Sequence, residues 1–247
     1  MIRRCAIAAL ALLAAGPAAA VDCESRVVED VSYTICEVDP RQDELRLFLY
    51  DDAGLPLGQF SIIDNKLARS GEKLAFAMNA GMYHDDRSPV GLYIENGEQV
   101  MRLITNAGPG NFGLLPNGVL CLREGRADVI ETLQFDKERP ACRSATQSGP
   151  MLVIDGELHP RFLEDGTSKY IRNGVGTSDD GTRAVFVISD EPVNFHTFGM
   201  LFRDHLKTPN ALFFDGSISR LYAPDLNRVG FGFSLGPMIG VVEPKSP

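Results

Sequence analysis

The chain has 247 residues, 44% of them hydrophobic, with 33 acidic side chains against 24 basic ones for a formal charge of −9. That length builds one sizeable core. So acidic a balance excludes a general binder of nucleic acid or of anionic membranes, which needs a basic surface.

Residues 1–20 carry the three zones of a secretory leader: Arg3 and Arg4, an apolar run from Cys5 to Ala15, then Gly16-Pro17 and small residues ending at Ala20. The expectation is a signal peptide over 1–20, cleaved after Ala20, and one domain over 21–247. The apolar run is shorter than the roughly 20 residues that cross a bilayer as a helix, so no membrane span is expected in the mature chain. A lipid anchor on Cys23 is disfavoured by Asp22, where a small residue belongs. Cleavage leaves 33 acidic against 22 basic residues. The expected location is periplasmic or secreted.

Cys23, Cys36, Cys121 and Cys142 remain after cleavage. Four cysteines in an oxidising compartment favour two disulfides, in one of three pairings. Short local loops favour Cys23 with Cys36 and Cys121 with Cys142; four buried free thiols are the alternative. The spacing supports neither a zinc ribbon nor a redox pair.

Strand-like runs dominate the mature chain, at residues 45–50, 74–78, 151–154 and 184–188. Asn96-Gly97, Asn117-Gly118, Asp155-Gly156 and Asp180-Gly181 lie between apolar runs and tolerate the positive φ of tight hairpins. A weak helical pattern covers residues 62–70. A stronger one starts at Asn194 as N-cap and repeats through Phe195, Phe198, Leu201, Phe202 and Leu206 before Pro209 stops it. The terminal residues 243–247 read as a frayed tail. The predicted class is α+β: a single domain with a twisted mixed or antiparallel sheet and few packed helices.

The apolar strand over residues 210–214 runs straight into Asp215-Gly216-Ser217-Ile218-Ser219, so a buried strand delivers a carboxylate, a glycine and hydroxyls at its exit. Three other polar turns stand out: Asn79-Ala80-Gly81-Met82-Tyr83 with Pro89-Val90-Gly91-Leu92, Gln147-Ser148-Gly149-Pro150, and Arg172-Asn173-Gly174-Val175-Gly176. In chain order, over residues 74–242, with the Asp215 element last, the four elements resemble the phosphodiester glycosidase domain of the uncovering-enzyme family, in a bacterial branch. That family hydrolyses N-acetylglucosamine-1-phosphodiesters. Many members carry extra glycines and serines after the aspartate, where this chain has one glycine and an isoleucine between its serines.

The resemblance implies a hydrolase of a sugar-1-phosphodiester in an envelope or exported glycan. The residues fit that chemistry. A guanidinium binds a phosphodiester bidentately while amides and hydroxyls take the other oxygens. Asn79, Gln147, Ser148, Arg172 and Ser217 are suitable donors, and Gly81, Gly149 and Gly216 let the backbone approach and add N–H groups. Asp215 is the candidate carboxylate for work at the sugar carbon. His84 and His196 are further acid–base candidates, since imidazole titrates near neutral pH; His159 and His205 read as surface residues. Plainer roles stand beside these: a hairpin turn at Asp215-Gly216, a surface ion pair of Arg172 with Glu164 or Asp165, and loop hydrogen bonds for Gln147 and Ser148. No spacing identifies a metal, although a divalent cation would help neutralise phosphate, so the cofactor stays open. The expected partner is a sugar phosphodiester or phosphorylated glycan, not nucleic acid. The alternative function is a noncatalytic binding or assembly protein for exported phosphorylated polysaccharide.

Overall fold

The computed structural model of the chain describes residues 21–215 and 218–245; the segment read as a leader lies outside them. In chain order come β1 (Asp22–Val28), β2 (Val31–Val38), β3 (Glu44–Phe48), α1 (Phe60–Ala68), β4 (Glu72–Asn79), β5 (Tyr93–Glu95) and β6 (Glu98–Met101). Then follow β7 (Gly118–Arg123), β8 (Arg126–Glu131), α2 (Thr132–Glu138), β9 (Ser144–Ser148), β10 (Met151–Ile154) and β11 (Glu157–Leu158). Last are β12 (Asn173–Thr177), β13 (Ala184–Ser189), α3 (Phe195–Met200), β14 (Asn210–Phe213), β15 (Leu221–Tyr222) and β16 (Met238–Pro244).

These strands form three sheets rather than the one expected: β1-β2-β13-β12-β14-β10-β11, β15-β4-β16-β3 and β6-β5-β9-β7-β8. Every ladder among the described residues is antiparallel. The fold is α+β, with strand far outweighing the three short α-helices of the described residues.

Alternation along the strands explains the architecture. Phe76 and Met78 on β4, Leu120 on β7, Phe186 on β13, and Leu212 on β14 with Phe214 just beyond it all enter one central cluster. Their neighbours turn the other way, and each outer face takes one helix. Val185, Val187 and Phe213 meet Phe198 of α3; Leu74 and Met238 meet Phe60 and Ile63 of α1; Val119 and Cys121 meet Phe135 of α2. Strands buried on both faces lose polar alternation and read as continuous apolar runs. Burying each phenyl ring is worth about 1.5–3 kcal/mol.

The helix from Asn194 forms, and Asn194 Oδ1 accepts from Thr197 N at 2.8 Å as its cap. Past Met200 it widens into a π segment, Leu201–His205. Asn96-Gly97 and Asp155-Gly156 are hairpin tips with positive φ at both residues. Asn117-Gly118 is not: Gly118 opens β7, Asn117 Nδ2 donates to Phe112 O at 3.1 Å, and the β7–β8 turn falls at Glu124-Gly125. Nor do Glu243 and Pro244 fray, since they pair with Lys73 and Glu72 on β4. Lys245 extends the attachment by donating its N–H to Gly71 O at 2.8 Å.

Cys23 is bonded to Cys36 across the β1–β2 ladder, and Cys121 to Cys142. No helix among the described residues is long and apolar enough to cross a membrane.

Candidate active site

Asp215 sits just past the end of β14, between two neighbours. On one side Phe214 N donates to Asn173 O at 3.1 Å; on the other Phe213 N donates to Pro150 O at 3.1 Å. The start of β12, with Arg172 and Asn173, and the Ser148-Gly149-Pro150 run into β10 therefore flank the exit of the central strand. The third wall is the turn after β4, where Asp215 N donates to Ala80 O at 3.2 Å and Ala80 N to Pro237 O at 2.8 Å. Ends of all three sheets meet here, and such rigid strand ends fix the loops that carry polar groups.

A buried amide network welds the walls. Asn173 Nδ2 donates to Asn79 O at 3.1 Å, Asn79 Nδ2 to Asn173 Oδ1 at 3.4 Å, and Arg220 N to Asn79 Oδ1 at 2.8 Å. Ser219 Oγ reaches Asn173 Oδ1 at 3.1 Å and Ile171 O at 2.9 Å. Asn79 and Asn173 are fully buried, so each bond forgone would cost a desolvated polar group.

Tyr83 adjoins Asp215. Burial, and then the Asp215 charge, push its hydroxyl up to about 12, so it stays a neutral donor beside the carboxylate. The Arg87 guanidinium lies 5.4 Å from the centre of the Tyr83 ring. Arg220 lies behind, its charged form disfavoured by burial; it donates to Gly230 O, to Phe233 O and, at 2.8 Å, to Gln59 Oε1.

Arg172 is 1% exposed and makes its bonds to backbone carbonyls, not to Glu164 or Asp165 at the surface. Its guanidinium stacks 3.6 Å over the Phe195 ring, donates from Nε to Val193 O at 2.8 Å and from Nη2 to Ser168 O at 2.9 Å, and burial lowers its pKa to about 10. Nη1 is buried without a hydrogen-bond partner among the described residues, as are Arg87 Nε and Ser148 Oγ. Unpaired buried donors are rare in folded proteins; Tyr83 Oη is a fourth in the segments converging on Asp215, while Arg123 Nε and His159 Nε2 are left unpaired on other segments.

The other expected residues are placed differently. The Gln147 side chain is saturated: Oε1 accepts from Leu92 N and Ile104 N, both at 3.0 Å, while Nε2 donates to Ile104 O and Thr132 Oγ1. It ties loops together and has no donor left for a ligand. At Gly81 a Cβ would stand 2.4 Å from Thr146 Oγ1 and 2.6 Å from Gln147 O, and at Gly149 2.5 Å from Asn117 Cβ. Both glycines thus admit neighbouring protein rather than ligand. His84 is exposed in a tight turn, donating its N–H to Ser88 O at 2.9 Å. His196 is half-buried on α3, one residue past Phe195. Gly216 and Ser217 lie outside the described residues. His159 is buried against Phe162, not on the surface, and burial lowers its pKa.

Tyr83, Arg87, Asn173, Ser219 and Arg220 join the site although sequence reasoning assigned them no role in it. Each sits within or beside a motif that it did single out. Among the described residues no group of three or more His, Cys, Asp or Glu is placed to hold a metal.

Strand-end amides, guanidiniums and a carboxylate thus share one region of the fold. A family profile for phosphodiester glycosidases matches residues 72–241, and the chain belongs to that family. It is 33% identical over 216 residues to the uncharacterized protein YigE of Escherichia coli (strain K12), covering 87% of this chain and 83% of that one. The fold is similar to the catalytic domain of zebrafish N-acetylglucosamine-1-phosphodiester alpha-N-acetylglucosaminidase auto-inhibited by its pro-peptide, with a TM-score of 0.60 and 12% identity over 90% of this chain and 81% of that one. It is also similar to a hypothetical protein from Synechocystis, with a TM-score of 0.59 and 13% identity over 89% of this chain and 61% of that one.

Proposed function

We propose that the mature chain is an exported hydrolase that cleaves the sugar carbon–oxygen bond of a sugar 1-phosphodiester in an envelope or exported glycan. The observation that carries this reading is that Tyr83, Arg87, Ser148 and Arg172, each with a buried polar atom that has no hydrogen-bond partner among the described residues, lie in the segments that flank the exit of the strand delivering Asp215. A phosphodiester anion satisfies such donors. The arginines also supply a local positive field in a chain whose overall charge is negative.

In this mechanism the guanidiniums hold the phosphate as it departs on its aglycone as a phosphomonoester. Asp215 takes a proton from the water that attacks the anomeric carbon, and the water oxygen becomes the new sugar hydroxyl. Tyr83, neutral across the working range, adds no second negative charge beside the carboxylate. Phosphate is already a good leaving group, so one carboxylate suffices. Export is supported by the leader sequence and the two disulfides.

The test is incubation of the folded mature protein with a small aryl sugar-1-phosphodiester, followed by assay of free sugar. Release of sugar is expected. Saturable binding without release would instead mark a noncatalytic carrier of phosphorylated glycan.

A further inference from the structure

Arg172 and Asp215 oppose each other across two strands. The β12–β14 ladder pairs Val175 with Leu212 and Gly174 with Phe213, and just beyond it Phe214 N donates to Asn173 O at 3.1 Å. Continuing that register by one more residue sets Arg172 opposite Asp215, and side chains at directly opposite positions share a face of the sheet. The neighbouring strand β13 keeps Arg172 extended: Arg172 N donates to Ser189 Oγ at 2.9 Å, and Ser189 N to Arg172 O at 2.8 Å. Phe213 lies on the same face by alternation, and the centre of its ring is 5.3 Å from Arg172 Cζ.

A column of stacked planes sets the guanidinium on that face. Arg172 Cζ stands 3.6 Å over the centre of the ring of Phe195, the first residue of α3. Phe162 lies parallel to Phe195, with 7° between the planes and 5.0 Å between the centres, and His159 stacks on Phe162 at 4.7 Å. The side that Arg172 fills has no room for a second plane, so Phe162 backs the opposite face of Phe195. Phe213 meets the same ring edge-on at 4.8 Å. The helix cap fixes the column to the loop before β12, because Asn194 Nδ2 donates to Glu164 O at 3.0 Å and to Gly166 O at 3.1 Å.

Two guanidinium nitrogens are spent on the backbone, Nε on Val193 O and Nη2 on Ser168 O. With those edges bonded and one face on Phe195, the plane is fixed, and Nη1 is the nitrogen left without a hydrogen-bond partner among the described residues. Burial disfavours the charge, and the π face of the ring offsets part of that cost. We propose that Phe195, backed by Phe162, is the positioning residue of the candidate site: it holds the Arg172 guanidinium opposite Asp215 with Nη1 directed to the anionic group of the ligand. The identity of that anion as a phosphodiester rests on the hydrolase reading. Phe195 touches no reacting atom and acts through Arg172.

The experiment has two readouts on mature protein with its disulfides intact: calorimetric titration with diethyl phosphate, which needs no turnover, and hydrolysis of a small aryl sugar-1-phosphodiester. Phe195→Leu keeps apolar bulk but removes the ring. It is expected to weaken diethyl phosphate binding and to raise KM, each roughly tenfold, with kcat changed by no more than about twofold. Phe195→Tyr keeps the ring and should restore both values. Phe198→Leu is the control on the same helix: its ring contacts are Tyr33 and Phe202, so it should lower Tm without moving KM. Phe162→Leu removes only the backing ring and serves if Phe195→Leu does not fold; KM should then rise roughly threefold, and an unchanged KM overturns the role. Wild-type affinity and KM in Phe195→Leu, no rescue by Phe195→Tyr, or an equal rise of KM in Phe198→Leu also overturns it. So does a wild-type protein that binds no diethyl phosphate. Weakened binding in Phe195→Leu without sugar release by wild type would retain the role of Phe195 and reject the hydrolase reading.

Discussion

Asn79 and Asn173, 94 residues apart, clasp each other in the buried centre of the site: Asn173 Nδ2 donates to the Asn79 carbonyl at 3.1 Å, and Asn79 Nδ2 returns a bond to Asn173 Oδ1 at 3.4 Å. The pair locks β4 of one sheet to β12 of another at the exit of the strand that delivers Asp215. Asn79→Ala strands the Arg220 N–H and removes a donor from Asn173, at a cost of about 2 kcal/mol or more. For a domain of this size that lowers Tm by roughly 4–8 °C, measurable by calorimetry. An unchanged melt would remove the asparagine clasp from the account of the site's rigidity.

Gly81→Ala is expected to destabilise by about 1–3 kcal/mol, because the new methyl meets the Gln147 carbonyl, which is backbone and cannot swing away. Gly97→Ala is the contrast: it has open space but a φ of +85°, so its cost is local strain without a clash. Chemical denaturation of the two variants should show activity falling with stability only for Gly81.

Tyr83 gives a pH dependence with a definite sign. Its folded pKa, about 12, lies above the ordinary 10.0, so the folded state holds the proton more tightly. The resulting stabilisation is complete below pH 10 and is lost as pH rises toward 12. Tyr83→Phe should therefore lose less stability than wild type across that window, read from denaturant midpoints. A steeper loss in the variant would contradict the burial that holds the Tyr83 hydroxyl neutral.

Arg172→Lys keeps the charge but loses the planar fork that reaches Val193 O and Ser168 O and stacks on Phe195. We expect about 1–3 kcal/mol of lost stability together with a KM raised roughly tenfold or more. A variant with wild-type melt and KM would show that this guanidinium neither supports the strand end nor meets the phosphate.

Much of this was legible in the sequence, for identifiable reasons. The helix from Asn194 showed itself because one face is apolar at spacings of three and four and a cap precedes it. Helix α2 did not, since its buried residues are only Thr132 and Phe135 and its cap is a glutamate, Glu131, accepting from Leu133 N and Gln134 N. The three-sheet arrangement was hidden by strands such as β13, Ala184–Ser189, fully buried on both faces and therefore without alternation. The burial of Arg172 was equally invisible: arginine is ordinarily exposed, and the rings that cover it, Phe195 and Phe213, come from distant segments. Arg220 follows Ser219 directly, yet only the fold shows that it joins Asn79 to the run over residues 230–233.

The most direct test of the central claim is the turnover of Asp215→Asn on a small aryl sugar-1-phosphodiester, with folding verified by a thermal melt. The substitution preserves shape and removes the carboxylate's proton chemistry, so kcat should fall by roughly 100-fold or more while substrate binding persists. A correctly folded Asp215→Asn protein that hydrolyses the diester at the wild-type rate would contradict the assignment of Asp215 as the catalytic carboxylate.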